Sequence, residues 1–188
     1  VIGGGAAGLM AAITAADSGK NVLIIERNNR LGKKLLITGK GRCNVTNNCG
    51  IDEFMANIPT NPRFLYSAYS QFNSQDCMNF FERLGVKLKT ERGNRVFPVS
   101  DKAGDIVSAL EQAVKERSIT VKSIRATELI IEDCTVKGVK CQDVSFLADS
   151  VLIATGGMSY PKTGSDGDGY RFARQAGHTV IPLKPSLV

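Results

Sequence analysis

The first eight residues, VIGGGAAG, hold a G-x-G-x-x-G pattern directly after two apolar residues that predict the end of a strand. Residues 6–18 are Ala-rich and predict a helix, with Gly19 in the position that often follows one. Residues 21–26 (NVLIIE) form an apolar run that predicts a strand buried on both faces and ending in the acid Glu26. This βαβ unit predicts an α/β, Rossmann-like domain built on a parallel sheet with helices.

Each part of the unit has a predicted role in binding a dinucleotide. Gly3 permits the tight turn, Gly5 lets the backbone approach a pyrophosphate, and Gly8 lets helix and strand pack closely. The start of the helix offers unpaired N–H groups to the phosphates. Glu26 accepts hydrogen bonds from ribose hydroxyls, and its charge would repel the 2′-phosphate of NADP. The alternative is a glycine-rich turn that binds no ligand.

The net charge of +6 comes from one stretch of the chain. Six of the 24 basic residues lie between residues 27 and 42, where there is no acid, and the other 18 balance the 18 acids. Such a local patch predicts contact with an anionic group such as a diphosphate. A solvated face and a basic RNA-binding module are the alternatives, but no aromatic residue precedes Ile51, as base stacking would require. Arg27 is expected to stack on adenine or to be solvated.

Three later segments favour FAD over NAD, a choice that the glycine pattern leaves open. Residues 35–44 form a loop of small residues and hydrogen-bond donors. Residues 151–154 predict a buried strand that ends in Thr-Gly-Gly, at the sheet edge where ligands bind. Residues 163–169 precede a predicted helix that Asp168 would cap, and this second helix start is expected to face an anionic or electron-accepting part of the cofactor. NAD-binding folds do not need these segments.

The remaining patterns predict helices, a hairpin and a small meander. Helices are expected from Asn61-Pro62 onward, over residues 74–84 and after Ser100. Residues 86–99 predict a hairpin. Short strands of a meander are predicted at residues 119–121, 128–131 and 136–141.

The cysteines and the histidine indicate no catalytic group. Cys43 and Cys49 are separated by five residues with a predicted Asn-Asn turn, so a redox dithiol is the less favoured interpretation and Cys43 is expected to pack beside the cofactor. Cys77, Cys134 and Cys141 are predicted core residues. His178, the only histidine, follows a helix end, where capping or a favourable dipole contact is expected. No catalytic residue and no metal site is predicted.

Four segments together resemble one family: residues 1–12 (VIGGGAAGLMAA), 35–47 (LLITGKGRCNVTN), 91–103 (ERGNRVFPVSDKA) and 154–170 (ATGGMSYPKTGSDGDGY). They are similar to the aminoacetone-oxidase/BaiN-type flavoproteins, a branch of the two-dinucleotide-binding FAD enzymes. The resemblance implies extended FAD, with its ADP half at the glycine turn and Glu26 and its flavin half near Arg42-Cys43-Asn44 and Thr155-Gly156-Gly157. It also implies backbone contacts to adenine around Ala126 and Thr127.

The resemblance implies further domain organisation. Family members are about twice as long, with a β-rich domain and a closing FAD segment that this chain is expected to lack. Both chain ends look cut, so residues 1–188 are expected to be an incomplete FAD-binding domain, with residues 50–118 as a helix-plus-hairpin insertion.

We therefore expect an FAD-dependent oxidoreductase, or its FAD-binding part, that transfers hydride between a small organic substrate and FAD. NAD(P)H is the expected transient reductant. A nicotinamide-dinucleotide-binding dehydrogenase domain and an RNA-binding or RNA-modifying flavoprotein module stay as alternatives. No membrane partner is expected, and the irregular cysteines favour the cytoplasm. The substrate and the oligomeric state stay open. The predicted cofactor-binding residues are Gly3, Gly5, Ala6, Ala7, Gly8, Glu26, Arg27, Lys34, Thr38, Gly41, Arg42, Cys43, Asn44, Thr127, Thr155, Gly156 and Gly157.

Overall fold

A computed structural model describes residues 1–184 of the chain. The last four residues, 185–188, lie outside the described part. The chain divides into two compact units. The first unit holds Val1–Lys33 and the chain from Val114 onward, and the second is Lys34–Ala113. No helix among residues 1–184 has the length and apolar character needed to cross a bilayer.

A parallel sheet forms the centre of the first unit. Strand β1 (Leu23–Glu26) pairs in parallel with β5 (Thr120–Ser123). Ile2 makes parallel bridges to Ile25 on one side and to Ile153 on the other. Helix α1 (Ala6–Asp17) follows the glycine turn and buries four residues: Gly8, Leu9, Ala12 and Ile13. The predicted βαβ unit and the Rossmann-like fold class are confirmed.

The meander prediction was wrong for its first strand and missed its last. The residues predicted as strand 119–121 belong largely to β5, which lies in the parallel sheet beside β1. The antiparallel sheet consists of β6 (Glu128–Glu132), β7 (Thr135–Cys141) and β8 (Val144–Leu147). The turns between these strands contain no glycine, although three of their residues have positive φ: Asp133, Cys134 and Gln142. The Asn-Gly or Asp-Gly pair that usually marks a hairpin is therefore absent.

Residues 151–154 do not form the buried strand that their apolar run predicts. Ile2 N–H donates to the Leu152 carbonyl over 2.8 Å, and Ala154 N–H donates to the Ile2 carbonyl over 2.8 Å. The contact with Ile2 is an isolated bridge, and Leu152 is 44% exposed and Ile153 38% exposed. Within residues 1–184, no strand pairs with the far edge of this segment.

Helix α6 (Asp168–Gln175) packs into the core of the first unit. It begins after Gly167, which has a left-handed backbone, and no side chain caps it. The prediction that Asp168 caps this helix was wrong, because Asp168 is its first residue and its carboxylate contacts arginines instead. The core around the helix consists of Ile2, Ile25, Ala126, Leu129, Val139, Cys141 and Phe172.

The second unit combines helices with a three-stranded antiparallel sheet. The predicted hairpin is β3 (Leu88–Glu91) and β4 (Arg95–Pro98), and β2 (Thr46–Asn47) pairs with the other edge of β4. The helices are α2 (Ile51–Ala56), α3 (Tyr66–Gln71), α4 (Ser74–Arg83) and α5 (Ala103–Glu116), whose last three residues belong to the first unit.

Two helix starts in the second unit show what decides capping. Asn73 caps α4, accepting hydrogen bonds from the N–H groups of Gln75 and Asp76, while the Asp76 carboxylate accepts from the Asn73 N–H. Asn61-Pro62 was predicted to open a helical stretch with Asn61 as its cap. The helical stretch is confirmed, because the 3₁₀ turn Pro62–Leu65 runs directly into α3. The cap was wrong, because Asn61 has a left-handed backbone (φ 52°) and its side chain makes no capping bond, whereas an N-cap residue typically has an extended backbone.

Candidate cofactor site

In the glycine turn, Gly5 is the open position, whereas Gly3, Gly4 and Gly8 are crowded. Gly3 has φ +104°, and a Cβ placed there would lie 2.5 Å from the Ala154 carbonyl oxygen. A Cβ on Gly8 would lie 1.8 Å from the Gly3 carbonyl oxygen, so the predicted need for close packing is confirmed there. A Cβ on Gly5 would meet nothing within 4 Å. The turn therefore leaves open space at the position predicted to face a pyrophosphate.

The start of α1 fits an anionic group. Gly5 is its N-cap residue, no side chain caps it, and no acid stands in its first turn. The first N–H groups of a helix have no partner within the helix, and the helix dipole places partial positive charge there. The diphosphate of a dinucleotide supplies acceptor oxygens of the opposite charge.

Glu26 is held at the end of β1 beside the glycine turn. Glu26 is buried, with only 6% of its surface exposed. One carboxylate oxygen, Oε2, accepts from Gly4 N–H over 2.6 Å, and Oε1 accepts from both the N–H and the side-chain Nδ2 of Asn28 over 2.7 Å. These bonds satisfy a buried negative charge and fix its direction. Its contact with a ribose stays a prediction.

Asn28 is a central residue of this site that the sequence analysis missed. Besides bonding Glu26, its Nδ2 donates to the Thr163 carbonyl over 3.1 Å. Its Oδ1 accepts from Lys33 Nζ over 3.3 Å. An Asn two residues after an acid carries no sequence signal of its own, because the contact with Thr163 spans 135 positions.

Five charged side chains form what we call the Arg–Asp cluster: Arg27, Arg125, Arg171, Asp166 and Asp168. Arg27 pairs with Asp166, and Arg125 pairs with both aspartates over 3.1 and 2.9 Å. Arg171 pairs with Asp168 over 3.1 Å. Carboxylates pair with the guanidinium of Arg27, so this side chain is not simply solvated, and its stacking on adenine stays a prediction.

The charged form of Asp166 is stabilised by this cluster. Partial burial by itself would raise the pKa of its carboxyl group, but the hydrogen bond and charge of Arg27 and the charge of Arg125 bring the pKa below the usual range. The cluster connects the end of β1, the residues before β6 and the start of α6. The start of α6 therefore carries acids that are paired with arginines, and its contact with the cofactor stays a prediction.

The Thr-Gly-Gly segment after residue 154 lies against the start of α6. Gly156 has φ +74°, and a Cβ there would lie 2.5 Å from Ser165 Oγ. A Cβ on Gly169 would lie 2.7 Å from Thr155 Oγ1, a buried hydroxyl without a hydrogen-bond partner in the described chain. The side chain of Ser165 therefore lies close to Gly156. The contacts of Thr155, Gly156 and Gly157 with a cofactor stay predictions.

Thr127 is bonded within the protein through both backbone groups. Its N–H donates to the Lys140 carbonyl over 2.8 Å, and its carbonyl accepts from Arg171. The hydroxyl of Thr127 also donates to the Lys140 carbonyl. Contact with adenine at this residue stays a prediction and would use the second lone pair of the carbonyl oxygen.

The loop of residues 38–44 in the second unit is built from left-handed residues. Gly39, Lys40, Gly41 and Cys43 all have positive φ, which is unusual for a lysine and a cysteine. Thr38 closes the loop, because its carbonyl accepts from Cys43 N–H over 3.1 Å. Asn44 follows, and its backbone would lie 2.7 Å from a Cβ on Gly39. Backbone strain of this kind is common at functional sites.

Arg42 makes its contacts with acids of the second unit. Its guanidinium pairs with Glu91 over 3.0 Å and with Asp101 over 3.2 Å, and it lies 3.9 Å from the centre of the Phe97 ring. The hydrogen bond to Glu91 is the main cause that raises the pKa of Arg42. The basic stretch 27–42 therefore differs from a uniform charged patch, since Arg27 and Arg42 are both paired with carboxylates.

The cysteines are all free. Burial raises the pKa of the Cys43 thiol, and burial together with the charge of Cys43 raises the pKa of Cys77 to about 11. Asn47 ends β2, and its carbonyl accepts from Cys49 N–H over 2.9 Å, which closes a three-residue turn at the predicted place. Cys134 was predicted in the core but is exposed in the turn between β6 and β7. Among the described residues, no group of His, Cys, Asp and Glu could hold a metal ion.

Comparison with known proteins identifies the chain. The family model described as the HI0933-like protein Rossmann domain matches residues 1–184. The chain belongs to the HI0933-like family. The predicted family is thereby confirmed, and the chain is an FAD-binding Rossmann domain.

Two curated relatives match the whole chain. The 3-dehydro-bile acid delta(4,6)-reductase of Clostridium scindens is 37% identical over 193 residues, and the ribosomal RNA dihydrouridine synthase of Escherichia coli is 30% identical over 188 residues. The chain covers 46% of the length of each. It therefore spans about half the length of the curated relatives it matches.

A solved structure supports the fold. The 3-ketosteroid-delta4-(5alpha)-dehydrogenase of Rhodococcus jostii RHA1 superposes with a TM-score of 0.65 at 17% identity, covering 85% of this chain and 46% of that chain. This likeness confirms the Rossmann-like architecture.

Proposed function

We propose that the first unit binds the ADP half of FAD, with the diphosphate at the start of α1 and the ribose at Glu26. The observation that carries the proposal is the open space at Gly5 beside an uncapped helix start, with the Glu26 carboxylate bonded to Gly4 N–H. A diphosphate meets backbone donors there and a ribose meets an ionised acceptor.

The other residues predicted to contact the cofactor stay part of the proposal. Backbone N–H groups of Gly5, Ala6 and Ala7 would hold the phosphates, and Gly3 and Gly8 would shape the turn. The further contacts that we propose for the cofactor are Arg27, Lys34, Thr38, Gly41, Arg42, Cys43, Asn44, Thr127, Thr155, Gly156 and Gly157.

The proposed reaction is hydride transfer between a small organic substrate and FAD, with NAD(P)H as the transient reductant. Bound FAD would supply the ring that accepts or donates hydride. The residues of this chain would bind and orient the cofactor. The relative from Clostridium scindens is named for a bile-acid reduction, which supports an unsaturated organic substrate.

We also propose that this domain is one part of a longer protein, with residues 50–118 as an insertion within it. The exposure of Leu152 and Ile153 supports this, because the side chains of an apolar parallel strand are normally buried on both faces of the sheet. A segment from outside residues 1–184 would cover these side chains. The length of the curated relatives is consistent with such a segment.

The first prediction tests the diphosphate site with a substitution at its open position. Gly5→Val places a side chain in the space proposed for the diphosphate, and nothing within 4 Å obstructs it. We expect FAD affinity, measured by quenching of flavin fluorescence, to fall at least tenfold. The thermal unfolding temperature should stay close to that of the wild type.

Gly50→Val is the matched control for this prediction. Gly50 is the N-cap residue of α2, with φ −78° and ψ 175° against −83° and −172° at Gly5, and its Cβ would also meet nothing within 4 Å. FAD affinity should be unchanged in this variant. Full FAD affinity in Gly5→Val would contradict the proposed site.

An RNA substrate is the second candidate, because the Escherichia coli relative is named as a ribosomal RNA dihydrouridine synthase. The pairing of Arg27 and Arg42 with carboxylates weakens the electrostatic case, since nucleic-acid affinity depends on cations that face phosphates. Retention of RNA at low salt, lost on replacing Lys33 and Lys34, would favour this candidate.

A further inference from the structure

Asn28 joins three segments of the first unit through one short side chain. Its amide nitrogen, Nδ2, donates to Glu26 Oε1 over 2.7 Å and to the Thr163 carbonyl over 3.1 Å. Its amide oxygen accepts from Lys33 Nζ over 3.3 Å. Lys33 can only donate, so this contact determines which end of the amide faces Glu26.

The packing around Asn28 leaves little freedom for its amide group. Gly164 has φ +104°, and a Cβ there would lie 2.7 Å from Asn28 Nδ2. Thr163, in the turn Pro161–Thr163, and Gly164 therefore pack against the same amide nitrogen that bonds Glu26.

Glu26 depends on Asn28 for two of its three hydrogen bonds. Oε2 accepts from Gly4 N–H, whereas Oε1 accepts from the backbone and the side chain of Asn28. Without Nδ2, Oε1 keeps only one of its two donors, so rotation about the last torsion angle of Glu26, which is broad for a glutamate, becomes less restricted.

We propose that Asn28 is the positioning residue for Glu26, and that it gives the site its preference for ribose over 2′-deoxyribose. This inference rests on the proposed function, in which Glu26 accepts from the ribose hydroxyls. A hydrogen bond to a charged acceptor is strong only when its direction is fixed, so a carboxylate held by Asn28 distinguishes a hydroxyl from a hydrogen.

The test pairs a ligand change with a protein change. Isothermal titration measures the affinity of the 188-residue chain for ADP and for 2′-deoxy-ADP. The wild type should prefer ADP by about tenfold or more, as expected for a hydrogen bond to a charged group. In Asn28→Ala the affinity for ADP should fall while that for 2′-deoxy-ADP changes little, so the preference shrinks to about threefold or less.

Two further variants keep the test decisive. Asn28→Ser retains a hydrogen-bond donor, so its preference for ADP should lie between those of the wild type and Asn28→Ala. If Asn28→Ala fails to fold, Asn28→Ser provides the test in its place. Asn79→Ala, on α4, changes an asparagine of the second unit and should leave the preference at the wild-type value.

The possible failures are distinguishable. An equal loss of affinity for both nucleotides in Asn28→Ala, or a full wild-type preference in that variant, would overturn the positioning role of Asn28. A wild type that binds ADP and 2′-deoxy-ADP equally would instead overturn the proposed contact between Glu26 and ribose, and the inference with it.

Discussion

The thiols of the second unit show how burial suppresses reactivity at single residues. Cys43 is 2% exposed, and its pKa is raised mainly by that burial. The pKa of Cys77 is raised to about 11 by burial and by the charge of Cys43. Because the thiolate is the nucleophile, neither residue is suited to disulfide exchange at neutral pH. The preference for a packing role of Cys43 over a redox dithiol is consistent with this chemistry.

Thiol labelling tests this conclusion. With iodoacetamide at pH 8, exposed Cys134 should be modified first, and Cys43 and Cys77 should react at least tenfold more slowly. Peptide mass spectrometry over time gives the rate at each site. Labelling in urea serves as the control, since all five cysteines should then react at similar rates. Rapid labelling of Cys77 in the folded chain would contradict its burial.

The helices and strands that depend on contacts between residues near in sequence were predicted correctly. The glycine turn, α1 and β1 follow from glycine spacing and apolar runs, and the hairpin of β3 and β4 follows from alternation around Gly93. The β5 strand was assigned to the wrong sheet because a four-residue strand does not encode its partner. β8 was missed because Gln142 replaces the glycine that usually marks such a turn.

The contacts around the site were less predictable, for a physical reason. Arg27 and Asp166 are separated by 139 positions, and Asn28 and Thr163 by 135. Only the folded parallel sheet brings such residues together. Glu26 was found because its place at a strand end has a known chemical role, whereas Asn28 and Arg125 have no such position in a motif.

Helix α4 offers a prediction about one element. Asn73 and Asp76 form a capping box at its start. Asn73→Ala removes the acceptor for the N–H groups of Gln75 and Asp76, so the free energy of unfolding should fall by about 1 kcal/mol. Urea unfolding followed by circular dichroism measures this change. Asn79→Ala, within the same helix, should be neutral or stabilising because alanine favours helix. A similar loss in both variants would argue against a specific cap.

For the whole molecule, both units carry carboxylates whose charge is stabilised by basic neighbours. Hydrogen bonds from Arg42 and Lys89 are the main causes that lower the pKa values of Glu91 and Asp101 in the second unit. The Arg–Asp cluster has the same effect on Asp166 in the first unit. A carboxyl group with a lowered pKa in the folded state contributes stability above its unfolded pKa, about 4, and that contribution is lost as the pH falls through the folded value.

The lowered pKa values of these carboxyl groups predict how the stability of the chain falls at acid pH. Urea midpoints should change little from these groups between pH 7 and pH 5 and should fall steeply below about pH 4. Asp166→Asn resembles the protonated acid, so it should be less stable than the wild type at pH 7, with the difference shrinking toward pH 3. Asp143→Asn, in the turn between β7 and β8, is the control, because Asp143 has no ion pair among those found within residues 1–184. If Asp166→Asn stayed less stable by the same margin at every pH, its loss would come from packing, and the cluster would not explain the acid sensitivity of the first unit.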